Sequence, residues 1–246
     1  MKKQRIDKLL LEQGLAESKE KALALVMAGV VLVNEKRVEK PSELYSSTDK
    51  IRIKGKSKEI KYVGRGGLKM EKALAEFHIC PNEYICLDVG SSTGGFTDCL
   101  LQNGAKKVYA IDVGTNQLAW EIRNDQRVEV RENTNARYLK EEDFTEKFDL
   151  IVMDVSFISV TKILTALIPL LNERGKIITL IKPQFEVDKN EVEKGGIIRD
   201  KNKHGQVVKK VNGFARSLGL KVAGYCDSPI LGAGGNKEFL ALYERD

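Results

Sequence analysis

The chain has 246 residues, 42% of them hydrophobic, and a formal net charge of +6. That length fits one large domain or a medium one with a small companion, and the apolar content is enough for a packed core. The four cysteines, Cys80, Cys86, Cys99 and Cys226, show no C-x-x-C spacing, which argues against a zinc site or a disulfide framework and leaves no metal expected. The basic start lacks an apolar segment with a cleavage site, and the longest apolar run, Leu23 to Val33, is broken by Gly29 and too short to span a bilayer. A soluble cytoplasmic protein without membrane attachment is expected. The charge is uneven: residues 1–62 hold 15 Lys/Arg against 9 Asp/Glu, and the remainder holds 26 of each sign. Such asymmetry suits a polyanion-binding module on a neutral body, or simply a solvated basic surface.

Residues 5–13 place Ile6, Leu9 and Leu10 on one helical face and stop at Gly14. Ser18 reads as the N-cap of a second helix, Lys19 to Ala28, with Gly29 just beyond its end. Val30–Val33 reads as a strand, Asn34-Glu35-Lys36 as a turn, and Ile51-Arg52-Ile53 as another strand. This module resembles the RNA-binding domain first known from ribosomal small-subunit protein four (the S-four type). The residues carrying the likeness are Arg5-Ile6-Asp7-Lys8-Leu9-Leu10, Ser18-Lys19-Glu20-Lys21-Ala22 and Gly29-Val30-Val31-Leu32-Val33-Asn34. The resemblance implies RNA phosphate contacts from Arg5, Lys8, Ser18, Lys19, Lys21 and Lys36. Contacts of that kind position a protein but specify little sequence.

Residues 54–67 are rich in Lys and Gly with few apolar anchors, so a mobile connection is expected. The boundaries read as an RNA-binding domain over 1–60, a linker over 61–67 and a second domain over 68–246. A helix from Leu68 to Phe77 buries Met70, Ala73, Leu74 and Phe77. Lys69 lies off that face near the helix start, where a cation is disfavoured and needs solvent or an anionic partner. Strands are then expected at Ile85–Val89, Val108–Val113, Val128–Val130, Leu150–Asp154, Lys176–Ile181, Lys221–Tyr225 and Phe239–Tyr243. Helices are expected at Gly95–Gln102, Asn116–Arg123, Val160–Leu171 and Gln206–Leu218, with Pro169 distorting the third. Alternation of strand and helix predicts an α/β fold, a parallel sheet covered on both faces. The last two strands have no helix between them, so the final strand should run antiparallel.

Asp88-Val89-Gly90-Ser91-Ser92-Thr93-Gly94-Gly95-Phe96 is a strand–glycine turn–helix junction. Its D-x-G-x-x-x-G-G spacing differs from the dinucleotide fingerprint G-x-G-x-x-G and from the P-loop. Asp88, Asp112 and Asp154 each end a predicted strand, the edge at which open α/β sheets bind ligands. Asp112 falls 24 residues after Asp88, near the distance at which a carboxylate meets ribose hydroxyls. Lys182 follows the apolar strand ending at Ile181, and Glu238 opens the last strand at the same edge. Lys69, Asp154, Lys182 and Glu238 can therefore converge, as a site or as a structural ion-pair network.

These four residues match the Lys-Asp-Lys-Glu tetrad of FtsJ-like RNA ribose 2′-O-methyltransferases, whose Rossmann-like sheet has seven strands, the last antiparallel. The surrounding text is similar too: Arg65-Gly66-Gly67-Leu68-Lys69, Asp154-Val155-Ser156-Phe157 and Lys182-Pro183-Gln184-Phe185-Glu186. An S-four-type module followed by such a domain resembles the hemolysin A (TlyA) family over essentially the whole chain. The resemblance implies S-adenosylmethionine as cofactor and 2′-O-methylation of cytidine in ribosomal RNA of assembled subunits. It places Asp88, Gly90, Ser91, Gly94, Gly95, Phe96, Asp112, Asn135 and Asp154 around the cofactor, with Asp112 on the ribose and Asn135 near the adenine. Lys182 either accepts the hydroxyl proton or orients the hydroxyl, and the sequence leaves that open.

Three other readings compete. A base-directed methyltransferase would carry prolines after Asp154 or a cysteine nucleophile at this edge, and the chain has neither. Membrane lysis, suggested by the family's name, lacks an amphipathic or spanning segment. A non-catalytic RNA-binding assembly factor has no need of the tetrad. Nothing marks an oligomer interface, so a monomer is the default expectation.

Overall fold

The structure, a computed structural model, describes residues 3–16, 18–27, 29–53, 61–193 and 195–245. The chain divides into two compact units, Met1–Lys61 and Tyr62–Asp246. The expected connection over 54–60 lies outside the described residues. Of the stretch expected as a linker over 61–67, Lys61 closes the first unit and residues 62–67 belong to the second. Tyr62 is buried there, the Val63 N–H donates to Asp98 at 2.7 Å, and a helix already begins at Gly66. Glycines 66 and 67 hid that start, because glycine removes the apolar periodicity by which a helix is read.

The first unit comprises β1 (Lys3–Arg5), α1 (Ile6–Glu12), α2 (Lys19–Met27), β2 (Val31–Val33), β3 (Lys36–Arg37), β4 (Leu44–Ser46) and β5 (Ile51–Ile53). Strands β1 and β4 pair antiparallel, and β2 lies between β3 and β5, antiparallel to both. Ile6 and Leu10 of α1 meet Val26 of α2 and Val31, Val33 and Ile53 of the small sheet in one core. Ser18 caps α2 as its sequence suggested, its Oγ accepting from the Lys21 N–H at 3.2 Å.

The second unit runs α3 (Gly66–Glu76), β6 (Ile85–Val89), α4 (Gly95–Gln102), β7 (Lys107–Ile111), α5 (Trp120–Arg123), β8 (Val128–Arg131), β9 (Phe148–Met153), α6 (Thr161–Leu167), β10 (Leu171–Ile181), α7 (Lys201–Ser217), β11 (Leu220–Asp227) and β12 (Phe239–Arg245). Among the described residues its seven strands form one sheet in the order β11-β12-β10-β9-β6-β7-β8. Strand β12 alone runs against its neighbours. The runs Leu150–Met153 and Ile177–Ile181 are apolar except for the buried Thr179, because both faces of the sheet are covered. Met70, Leu74, Leu100, Leu180 and Leu240 fill the face under α3 and α4, and Ile151, Leu164, Ile177, Val211 and Tyr243 fill the face under α6 and α7. Each such side chain contributes about 1.5–3 kcal/mol of burial.

Some boundaries differ from expectation for identifiable reasons. Helix α6 stops at Leu167 and a 3-10 turn, Ile168–Leu170, carries Pro169, so Leu171 opens a strand rather than ending a helix. Helix α5 is one turn, since Asn116 takes a left-handed φ of 54° in the segment before it. Helix α7 starts five residues before Gln206, because the Asp200 side chain accepts from the Asn202 N–H and caps a polar first turn.

Candidate active site

The strand order turns back on itself between β6 and β9, and the crevice beyond their carboxyl ends is where such sheets bind ligands. Three adjoining cavities of about 480, 210 and 380 Å³ open there. Gly90 and Asp154 line the first and second, Lys182 the second and third, and Ser156 all three. The three therefore form one cleft divided by the residues after β9.

The tetrad converges. Lys69 Nζ, from the first turn of α3, donates to Glu238 Oε2 at 2.6 Å and stands 3.8 Å from Asp154 Oδ2. Lys182 Nζ lies 2.6 Å from Asp154 Oδ1, a charge contact rather than an aligned hydrogen bond, and donates to Ser156 Oγ at 2.8 Å. Lys69 and Lys182 are each 8% exposed and Glu238 3%. Two buried cations and two carboxylates thus balance in charge, which is what makes their desolvation tolerable. The carboxylates are also the anionic partners that the cation at the start of α3 required.

The expected cofactor residues separate into two groups. Gly90, Asp112, Asn135 and Asp154 line the cavity of about 480 Å³, and Ser91, Gly95 and Phe96 line the one of about 210 Å³. Asp112 is fixed: Oδ1 accepts the Gly114 N–H at 2.7 Å and Oδ2 the Ser92 N–H at 2.9 Å. Each oxygen keeps a lone pair for a ribose hydroxyl. The Asn135 carboxamide oxygen accepts the Arg137 N–H at 3.1 Å. Gly90 has φ +82°, and a Cβ on it would fall 2.6 Å from the Asp154 carbonyl oxygen. Only glycine fits where these two loops touch. A cavity of this size with a fixed diol acceptor fits an adenosyl group.

Asp88 and Gly94 line none of these cavities, which corrects their expected place at the ligand. Asp88 is the penultimate residue of β6, not its end, and its side chain turns into the fold. It is fully buried, and Oδ2 accepts both the Thr97 N–H and the Thr97 hydroxyl, tying β6 to α4. Oδ1 has no partner among the described residues, and burial pushes the carboxyl up to about 7 against the help of Thr97. Gly94 holds the turn at φ +94°, packed under Leu118 and Ile122.

Ser156 and Phe157 are functional candidates that pattern reasoning passed over. Phe157 carries φ +65°, rare for a bulky residue, is 92% exposed, and lines both large cavities with its ring 5.2 Å from Phe185. The strain is a signal of function that only coordinates reveal. Glu186 braces this loop: its buried carboxylate accepts from Ser159 Oγ and the Val160 N–H, and burial raises it above the usual carboxylate range.

In the first unit, Arg5, Lys8, Ser18, Lys19, Lys21 and Lys36 are all exposed. Arg5 forks onto the buried Asp7 at 2.6 and 3.0 Å, which lowers the Asp7 carboxyl. Part of its charge is thus already matched within the fold. Among the described residues no helix is long and apolar enough to cross a membrane. Cys86 and Cys99 are buried, Cys226 is half-buried and Cys80 is exposed.

Fold and cleft together define a methyltransferase of the kind that uses S-adenosylmethionine. A Listeria monocytogenes protein assigned to that class shares the sheet at 14% identity, with a TM-score of 0.56 over 74% of this chain and all of that one. The chain belongs to the FtsJ-like methyltransferase family, whose profile matches residues 62–245, and residues 4–51 match the S4 domain. It is 45% identical to Hemolysin A of Brachyspira hyodysenteriae over 97% of this chain and 99% of that one. It is 42% identical to the 16S/23S rRNA (cytidine-2′-O)-methyltransferase TlyA of Mycobacterium tuberculosis over 96% and 87%. A solved structure of a Streptococcus thermophilus protein assigned as a hemolysin aligns with a TM-score of 0.76 at 46% identity, covering 100% of this chain and 89% of that one.

Proposed function

We propose that this protein transfers the methyl group of S-adenosylmethionine to the ribose 2′-hydroxyl of a cytidine in ribosomal RNA. The observation that carries the reading is the closed tetrad at the junction of two cavities, one sized for the cofactor and one open to a second substrate. The bound cofactor supplies an electrophilic methyl group and a neutral leaving thioether. Everything else falls to the chain. Asp112 and Asn135 hold the adenosyl end, and Gly90, Ser91, Gly95 and Phe96 shape the other. Lys182 meets the 2′-hydroxyl oxygen and steadies its developing negative charge by a charge-assisted hydrogen bond. As the O–C bond forms and the methyl–sulfur bond breaks, Lys182 yields a proton to Asp154 and takes the hydroxyl proton in its place, so that the proton lost by the ribose is balanced on the Asp154 carboxylate. Lys69 and Glu238 hold Asp154 and Lys182 in register, so positioning supplies much of the rate. Phe157 offers its exposed ring to the base of a nucleotide drawn out of its stack, as enzymes acting on single nucleotides require. Arg5, Lys8, Ser18, Lys19, Lys21 and Lys36 grip RNA phosphates through the first unit. The reading makes the enzyme a cytoplasmic monomer acting on ribosomal subunits.

The test is transfer of labelled methyl from S-adenosylmethionine to purified ribosomal subunits, with the product mapped to a ribose. Lys182→Ala should abolish transfer and leave RNA binding intact. Lys182→Arg keeps a cation that can orient the hydroxyl but not receive its proton. It should be nearly as inactive, and substantial activity in it would remove the proton step from Lys182. Absence of a ribose-linked methyl group with the wild-type protein would remove the function itself.

A further inference from the structure

Helix α7 carries Lys201, Lys203, Lys209, Lys210 and Arg216 and no carboxylate. Two of the five are used within the fold: Lys203 pairs with Glu191, and Lys210 Nζ donates to the Glu186 carbonyl. Lys201, Lys209 and Arg216 are exposed, and no carboxylate among the described residues pairs with them. They share one flank of the helix and line a groove of about 480 Å³ between α7 and the edge strand β11. The acidic groups nearby are engaged: Asp200 caps α7, and Asp227 pairs with Lys237 at 2.8 Å.

Three further features of this groove have no structural explanation. Asn212 is 5% exposed and lines it; its carbonyl oxygen accepts from the Tyr243 hydroxyl, while its Nδ2 has no partner among the described residues. Gly205 sits in the helix interior, where glycine costs stability relative to alanine, yet nothing lies within 4 Å of where its Cβ would be. Packing therefore does not demand it, but a ligand approaching the helix backbone would. Tyr225 of β11 is 60% exposed at the same groove. Cations, an amide donor, a bare backbone position and an open aromatic are the components that hold a nucleic acid strand by its phosphates and one base face.

The groove begins at the catalytic edge. Lys237 and Phe239 line it, while Asn236 and Glu238, alternating with them, line the tetrad cavity. From Lys201 to Arg216 it extends about 22 Å along the helix. We infer that the groove between α7 and β11 is a second RNA-binding site, which takes the single strand flanking the target nucleotide by its phosphodiester backbone. This rests on the proposed RNA methylation. The whole-chain charge asymmetry concealed it, because the acidic residues that neutralise the second unit lie elsewhere than on α7.

The experiment uses the full chain carrying Lys201→Ala/Lys209→Ala/Arg216→Ala, none of which touches the cleft. A matched control, Lys106→Ala/Lys147→Ala/Arg174→Ala, removes equal charge elsewhere. Methylation of ribosomal subunits is measured from 50 to 200 mM salt, with filter binding of labelled rRNA beside it. Loss of three phosphate contacts should lower the salt slope by about 2, so that wild type loses about 20-fold more affinity than the variant over that range. KM should rise at least ten-fold at the lower salt with kcat unchanged, and the control should behave as wild type. Lys209→Gln alone, which leaves the helix fully able to fold, should lower the slope by about 0.7. Equal KM and equal slope in wild type and groove variant overturn the inference. So does a variant that loses binding to phosphatidylglycerol vesicles while its RNA kinetics are unchanged, since the groove then meets a membrane. If wild type transfers no methyl group, the proposed function fails, and the rRNA binding slopes still decide the groove.

Discussion

Glu238→Gln isolates the electrostatic balance of the tetrad. The substitution keeps the shape and removes one negative charge 2.6 Å from Lys69 Nζ. Lys69 is then left with Asp154 at 3.8 Å, a carboxylate already engaged by Lys182 at 2.6 Å. Both partners of the broken pair are nearly buried, with side chains 10% and 3% exposed, so water cannot replace the lost charge. Breaking such a pair from one side costs about 3–5 kcal/mol, and the remaining carboxamide acceptor puts this case near 3. In a domain of this size that lowers Tm by about 6–12 °C. The double variant Lys69→Met/Glu238→Leu removes both charges and should return to within about 1 kcal/mol of wild type, because no unpaired charge stays buried. Activity should be lost in both. Urea unfolding followed by circular dichroism measures the stabilities, with constant m required for the comparison. A double variant as unstable as the single one would show that the pair stabilises by packing, and the charge-balance argument would fall.

Asp88→Asn should alter the pH dependence of stability. The buried carboxyl titrates near 7 when folded and about 4 when unfolded, so its neutral form supports folding below that lower value and the benefit is lost as pH rises to 7. The advantage of wild type over the variant should shrink by about 1.4 kcal/mol per pH unit between pH 5 and 7; a constant difference refutes the assignment. Gly90→Ala forces a Cβ to 2.6 Å from the Asp154 carbonyl at a φ of +82°. Calorimetry should show S-adenosylmethionine binding at least about ten-fold weaker, the equivalent of 1.4 kcal/mol, and unchanged affinity would mean the two loops yield freely. Phe157→Gly relieves the left-handed strain and removes the ring, so stability should hold or rise while kcat/KM for RNA falls by the 1–3 kcal/mol of a base stack, about 5- to 150-fold. An unimpaired variant would leave the ring without a role.

Much of this site could be read from sequence because its parts sit at strand ends. Asp154, Lys182 and Glu238 each follow or precede a strongly apolar run, and a parallel sheet brings such positions to one edge whatever their distance along the chain. Lys69 was legible as a cation misplaced at a helix start. Asp88 lies one residue inside β6, where alternation turns its side chain away from the open strand end, and the Thr97 hydroxyl that meets it carries no sequence signature. Phe157 was invisible because a left-handed φ on an aromatic is imposed by its neighbours, here the loops that Glu186 braces. The true start of α7 was hidden behind a polar first turn, Lys201–His204, followed by Gly205. With it went the recognition that five cations share one helix.

The Gly90 backbone touches the Asp154 carbonyl, and Ser156, two residues on, lines all three cavities, so the proposed compartments for the two reactants are divided by one short loop. Each reactant, once seated, becomes part of the other's wall. A partition that thin transmits force: whatever pushes the glycine turn displaces Asp154, the partner of Lys182. Any tightening of RNA binding by the methyl donor must be matched by an equal tightening of donor binding by RNA. The spent thioether, which has lost the sulfonium charge, makes a different neighbour for the same carboxylate. In the proposed reaction, methyl transfer changes the charge on one side of the partition while the methylated ribose still lies on the other.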